Sequence, residues 1–173
     1  PESNLTLWGT GNPVPMFDPE FRPGDNLYSN STVAMDVDTG DIAWYFQYTP
    51  GDYLDYDEVG SHLLYDVEIN GESRKVLGHF GRNGFYYNLD RNSGAFLNGG
   101  QYLVELDWTE GLDPKTGKPI GYDSSKLLQE YIPGSAPRRG QPAIEACPHL
   151  QGGVNFWPTA YNPILKIAYG ASF

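Results

Sequence analysis

The stretch A-M-D-V-D-T-G-D-I-A-W-Y-F-Q, residues 34 to 47, decides the fold. It joins two runs rich in β-branched and aromatic residues, TVAMDV and IAWYFQY, through D-V-D-T-G at Asp36 to Gly40. In such a turn an Asp side chain bonds its own backbone, and a Gly supplies the positive φ that a tight hairpin with a bulge requires. A related turn, D-R-N-S-G at Asp90 to Gly94, follows GFYYNL, and a weaker copy, D-P-K-T-G at Asp113 to Gly117, lies in a longer polar segment. Recurrence at about the length of one four-stranded blade predicts an all-β fold of repeated antiparallel sheets, a β-propeller, with a β-sandwich as the other all-β solution.

Working outward, LLYDVEI, RKVLGHF, GFYYNL and QYLVELDW read as further strands, PILKIAYGASF reads as an apolar strand, and no segment sustains helical periodicity. The 21 Gly and 14 Pro fit many turns. Residues 109–140 are polar and poor in β-branched residues, which predicts a long surface excursion, with SSKLLQEY making a helical turn or two capped by Ser124 or Ser125. The chain of 173 residues is long enough for one domain, yet its opening at Pro1 and its apolar close make it read as an internal piece of a longer protein. Its 22 acidic and 11 basic residues, net charge -11, repel a phosphate backbone or an anionic membrane, so nucleic acid is not an expected partner. Lys166 interrupts the most apolar stretch, so no membrane span is expected. The single Cys147 is either a small buried hydrophobe or half of a bridge. His62, His79 and His149 lack metal-ligand spacing and read as structural or surface residues.

Chemistry concentrates in T-P-G-D-Y-L-D-Y-D-E-V-G, residues 49 to 60, where Asp52, Asp55, Asp57 and Glu58 crowd four carboxylates into one loop. Such a cluster needs water, protons or a cation to relieve its repulsion. Alternate residues of an extended stretch share a face, so Asp55 and Asp57 can face one cation. Asn12 precedes Pro13, which drives it into extended geometry and holds its side-chain carbonyl in one direction, as a metal ligand should be held. Asp52 and Glu58 are expected on a solvated face.

The run from Ala34 to Gln47 resembles the tryptophan-docking motif of the quinoprotein alcohol dehydrogenases, departing from it at Asp41, where Lys is usual. In that motif Trp44 reaches the neighbouring blade, with its ring packed and its N–H bonded. WGTGNPVP (8–15), RPGDNLYSNS (22–31), TPGDYLDYD (49–57), GRNGFYYNLDRNSG (81–94) and CPHLQGGVNFWPTAYNP (147–163) follow in the order of the methanol- and ethanol-type enzymes that use pyrroloquinoline quinone, PQQ. The resemblance implies part of an eight-bladed β-propeller running through residues 1–173, and a periplasmic enzyme oxidising primary alcohols. It implies Asn12, Asp55 and Asp57 as metal ligands, Asp55 as catalytic base, Arg82 as catalytic and quinone-contacting, and Asn155 as a cofactor ligand. Calcium-dependent members carry a small uncharged residue two positions after the catalytic aspartate, whereas lanthanide-dependent members carry Asp. With Asp57 in that place, a lanthanide(III) ion is expected over Ca2+. The resemblance also implies a cytochrome c-type electron acceptor, admits a homodimer, and pairs Cys147 with a downstream cysteine. The family's glutamate metal ligand, its adjacent-cysteine ring and the tryptophan beneath the quinone have no counterpart in this chain.

Two other functions compete. A cofactor-free propeller scaffold of the outer-membrane-assembly kind explains Trp44 and Gly40 but leaves Asn12, Asp55, Asp57 and Arg82 as coincidences. A glycosidase would need two of the carboxylates to face each other across a cleft, which neighbours in one loop do poorly.

Overall fold

The computed structural model describes residues 2–69 and 71–173, and the chain forms three antiparallel sheets in sequence order. The first contains β1 (Leu5–Gly9), β2 (Ser31–Asp36) and β3 (Ile42–Gln47). The second is a four-stranded meander of β4 (Leu63–Ile69), β5 (Glu72–Phe80), β6 (Phe85–Asp90) and β7 (Phe96–Gln101). A short hairpin of β8 (Ala160–Asn162) and β9 (Ile167–Tyr169) forms the third. Alternation explains the strands: in β6 Phe85, Tyr87 and Leu89 are buried while Tyr86, Asn88 and Asp90 are only partly so, as a pleat with one apolar face demands. No described helix is long and apolar enough to cross a membrane.

The core lies between the first two sheets, where Ala34, Trp44 and Phe46 meet Leu77, Tyr87 and Leu89. The Phe46 ring packs 5.9 Å from Tyr87 and 6.3 Å from Phe96, and burying such a side chain contributes about 1.5–3 kcal/mol. The hairpin joins the outer face through Tyr161, stacked 3.9 Å from Tyr65.

All three Asp–Gly turns adopt one geometry. Gly40, Gly94 and Gly117 have φ of 78°, 71° and 68°, and their N–H groups donate to the carbonyls of Asp36, Asp90 and Asp113. Each Asp Oδ1 accepts two further amides, those of Asp38 and Thr39, Asn92 and Ser93, and Lys115 and Thr116. The third copy is therefore as complete as the others, although only a lone bridge, Leu112 to Pro119, flanks it. A β-carbon at Gly94 would collide with the Trp44 ring, and one at Gly117 with the Phe96 ring, so these two turns each receive an aromatic from the preceding sheet, whereas Gly40 meets none. Gln47 anchors the same region by donating to the Asp25 and Ser29 carbonyls at 2.7 and 3.1 Å. Against expectation, the Trp44 N–H has no hydrogen-bond partner among the described residues: its ring is buried by packing alone.

Other expectations are corrected. QYLVELDW is not a strand; β7 ends at Gln101, and the chain leaves the sheet to bury Trp108, whose N–H donates to the Asn83 carbonyl at 2.9 Å. SSKLLQEY forms no helix, because Asp123 takes the Ser125 amide and Gln129 donates to the Asp123 carbonyl, satisfying the backbone in a non-helical way. PILKIAYGASF contributes only the three residues of β9. The 109–140 excursion is not merely superficial, since it buries Thr109, Gln129, Tyr131 and Ala136.

Candidate active site

The loop between β3 and β4 carries no regular structure from 49 to 62, and long-range bonds define its path. Tyr131 Oη donates to the Pro50 carbonyl at 2.5 Å, Gly51 N–H to the Asp25 carbonyl at 3.0 Å, Arg22 Nη2 to the Asp52 carbonyl at 2.5 Å and Tyr56 Oη to the Pro148 carbonyl at 2.6 Å. At its end, Glu58 N–H donates to the Thr10 carbonyl at 3.1 Å. The glycines of W-G-T-G-N-P permit that approach: a β-carbon at Gly9 would strike the Glu58 carbonyl, and one at Gly11 would lie 3.0 Å from Asp57 Oδ1. Within the loop Asp55 stands at φ 67°, in the left-handed region that a side chain rarely adopts.

Four of the five expected site residues come together. Arg82, in the β5–β6 turn and 5% exposed, donates through Nη1 to Asp57 Oδ2 at 2.5 Å and brings Nη2 to 3.9 Å from Asp55 Oδ2. It is far from a surface arginine: its Nη2 also donates to the Leu150 carbonyl. The Asn12 backbone N–H donates to Asp57 Oδ1, so both oxygens of Asp57 are oriented. The Asn12 Nδ2 donates to the Pro13 carbonyl at 3.1 Å, which turns the amide and leaves Oδ1 available as an acceptor. Burial first and the neighbouring Asp57 second push the Asp55 carboxyl above its usual range, with Arg82 opposing them.

Asn155 is not part of this cluster. Its Nδ2 donates to the Gln151 carbonyl at 2.7 Å and its Oδ1 accepts the Phe156 amide at 2.8 Å, so local turn bonds occupy the carboxamide. The same segment reaches the site instead through Leu150 and through Gly152 and Gly153, which wrap the Arg82 backbone; Gly153 N–H donates to the Arg82 carbonyl at 3.0 Å. The Gly-Gly pair was the sequence signal for this close approach.

Asp52 and Glu58 overturn the expectation of a solvated face, being 1% exposed each. Glu58 Oε2 lies 2.6 Å from His79 Nε2, and burial raises the carboxyl well above its usual range while lowering the histidine to about 4, so both favour their neutral forms. Burial likewise raises Asp52 to about 6 against the opposing pull of the Leu54 and Tyr56 amides and Asn30. His79 is thus structural, as expected, and His149 is exposed. Cys147 is a free, partly buried thiol.

The donor chemistry fits a hard cation as part of a shell. Asp55 and Asp57 are like charges relieved by one guanidinium, and with Asn12 Oδ1 they present only oxygens. Among the described residues, no group of three or more His, Cys, Asp and Glu could hold an ion. A calcium-like ion takes about six to eight oxygens, so this chain would furnish a minority of them. Beside the cluster an open, largely apolar cavity of about 620 Å³ is lined by Phe17, Leu54, Ile144, Pro148 and Leu150.

Antiparallel sheets joined by aromatic-on-glycine docking, with an Asp–Asp–Arg cluster in the inter-sheet loops, describe part of a β-propeller with a charged site between its sheets. The sequence family described as "PQQ: Glucose/ethanol/alcohol dehydrogenase, beta-propeller domain" matches residues 1–99, and the chain belongs to it. Quinoprotein alcohol dehydrogenase PedH of Pseudomonas putida is 41% identical over 169 residues, covering 98% of this chain and 27% of PedH. The quinohemoprotein alcohol dehydrogenase of Comamonas testosteroni superimposes with a TM-score of 0.82 at 37% identity, covering 98% of this chain and 23% of that one. A europium-containing methanol dehydrogenase superimposes with a TM-score of 0.84 at 31% identity, covering 97% and 27%. The chain thus spans about a quarter of the length of these relatives. This membership favours the quinoprotein reading over the cofactor-free scaffold.

Proposed function

We propose that this chain forms part of the active site of a PQQ-dependent alcohol dehydrogenase that oxidises primary alcohols to aldehydes. The observation that carries the reading is Arg82 set between Asp57 and Asp55, with the Asn12 amide on the other Asp57 oxygen. Bound here, PQQ with its metal ion would accept the hydride from the alcohol carbon and polarise the reacting groups. Asp55 takes the hydroxyl proton at its carboxylate, which no described hydrogen bond occupies; a cation beside it would lower its pKa, so its work as a base depends on lying close to the alcohol proton and on the metal acidifying that alcohol. Arg82 would steady developing negative charge and holds Asp57 in place, and Asp57 and Asp55 with Asn12 Oδ1 would supply this chain's share of the oxygen ligands to the ion. Leu54, next to Asp55 in sequence, lines the apolar cavity that would receive the alcohol's carbon chain.

Asp57 adds a negative oxygen to the metal shell, which favours a trivalent ion, and the likeness to the europium-containing enzyme supports that preference. Asn155 enters the cofactor site only if its turn bonds to Gln151 and Phe156 are exchanged for bonds to the quinone. A periplasmic location and a cytochrome c-type acceptor complete the proposal, the latter supported by the quinohemoprotein relatives. The test is reconstitution of the full-length parent enzyme, stripped of metal and quinone, followed by dye-linked oxidation of primary alcohols. Activity is expected only when PQQ and a lanthanide or calcium ion are both returned; failure of PQQ to bind in the presence of either metal would sink the reading.

A further inference from the structure

Asp55 is held in an unfavourable backbone conformation, and the residues that hold it are identifiable. The Leu54 and Tyr56 amides, on either side of Asp55, both donate to Asp52: Leu54 N–H to Oδ1 at 2.8 Å and Tyr56 N–H to Oδ2 at 2.9 Å. Asn30 Nδ2 donates to the same Oδ2 at 2.9 Å and to the Tyr56 carbonyl at 2.8 Å. Asn30 and Asp52 are 0% and 1% exposed, so bulk solvent does not compete for these bonds. A left-handed non-glycine residue is unfavourable and persists only where its surroundings over-determine it. Here one buried carboxylate grips the chain on both sides of the strained residue, and Arg22 Nη2 fixes that carboxylate's own backbone carbonyl at 2.5 Å.

The geometry points to Asp52, braced by Asn30, as the positioning residue that sets the backbone angle of Asp55 and so aims its carboxylate at the metal and the alcohol proton. Asp52 touches neither, and acts through Asp55. Without its two acceptor oxygens, residues 54 to 56 relax toward ordinary extended geometry and Asp55 swings away from Arg82. The inference rests on the proposed role of Asp55 as base and ligand.

The test uses the full-length enzyme with two readouts: europium(III) alone bound to the quinone-free protein, with luminescence lifetimes in H2O and D2O reporting ion-bound water, and kcat and KM of the reconstituted enzyme. Asp52→Ala is expected to lower kcat about 100-fold, the scale of a misplacement of about 1 Å, with KM little changed. Its europium should carry extra water, as in Asp55→Ala, because one carboxylate ligand has left. Asn30→Ala should move both readouts the same way by less, and it decides the matter if Asp52→Ala does not fold. Asp36→Ala, in an exposed turn of similar hydrogen bonding, should leave both at wild-type values. Wild-type hydration and kcat in the Asp52 variant, or in the Asn30 variant where that one decides, would overturn the positioning role alone. A wild-type enzyme that binds no europium would overturn the metal site on which the role depends.

Discussion

Asp36 and Asp52 cap backbone amides in two very different places. Each accepts backbone amides from residues just downstream, Asp36 from Asp38 and Thr39, Asp52 from Leu54 and Tyr56. The Asp36 turn lies at the surface, and the amides it accepts hold its carboxyl below the usual range. The Asp52 turn is buried, and desolvation outweighs its hydrogen bonds and raises it to about 6. The exposed version builds a regular hairpin with Gly40 in the left-handed position; the buried version puts Asp55 there instead. Related Asp-to-amide bonding thus accompanies a structural joint at the surface and, with both carboxylate oxygens engaged, a buried loop that carries Asp55.

Stability and catalysis should separate along that line. The largest stability effect belongs to the regular region: Trp44→Ala removes the ring docked on Gly94 and should cost about 3–5 kcal/mol in denaturant unfolding of the parent enzyme. Its kcat per folded, loaded molecule should stay at the wild-type value; a specific loss of kcat would break the division. A smaller effect is expected from pH, measured on the metal-free enzyme. Asp52, raised in the fold, contributes stability below about pH 4 that is lost as pH rises through about 6, so wild type should lose about 3 kcal/mol relative to Asp52→Asn over that interval. Asp36 and Asp113, lowered in the fold, contribute stability above about pH 4 that is lost as pH falls further. Asp36→Asn should therefore differ from wild type by an amount that does not change between pH 4 and 6. Parallel pH profiles for the two variants would erase the contrast.

The same contrast explains what could be read from the sequence. Strands β2 to β6 and the Asp–Gly turns follow from alternation and turn chemistry, which act over a few residues. QYLVELDW shares their composition, but burying Trp108 beneath Asn83 outcompetes strand pairing, and that contact spans 25 residues. The gathering of Asn12, Asp55, Asp57 and Arg82 was legible through the family's motif order. The burial of Asp52 and Glu58 was not, because their partners Asn30 and His79 lie 22 and 21 residues away, and nothing within the loop distinguishes a solvated carboxylate from a buried one. Asn155 shows the converse: its motif is in place, yet its carboxamide serves its own turn.

The central claim is that Asp57, fixed by Arg82 and the Asn12 amide, makes this a site for a trivalent metal ion beside Asp55. The most direct measurement compares wild type with Asp57→Ser in the full-length enzyme carrying PQQ with lanthanum or with calcium. The account predicts that lanthanum-supported alcohol oxidation falls about 100-fold or more while calcium-supported oxidation is spared or gained, as expected when one anionic ligand is removed. Equal losses with both metals, or none with either, would contradict it.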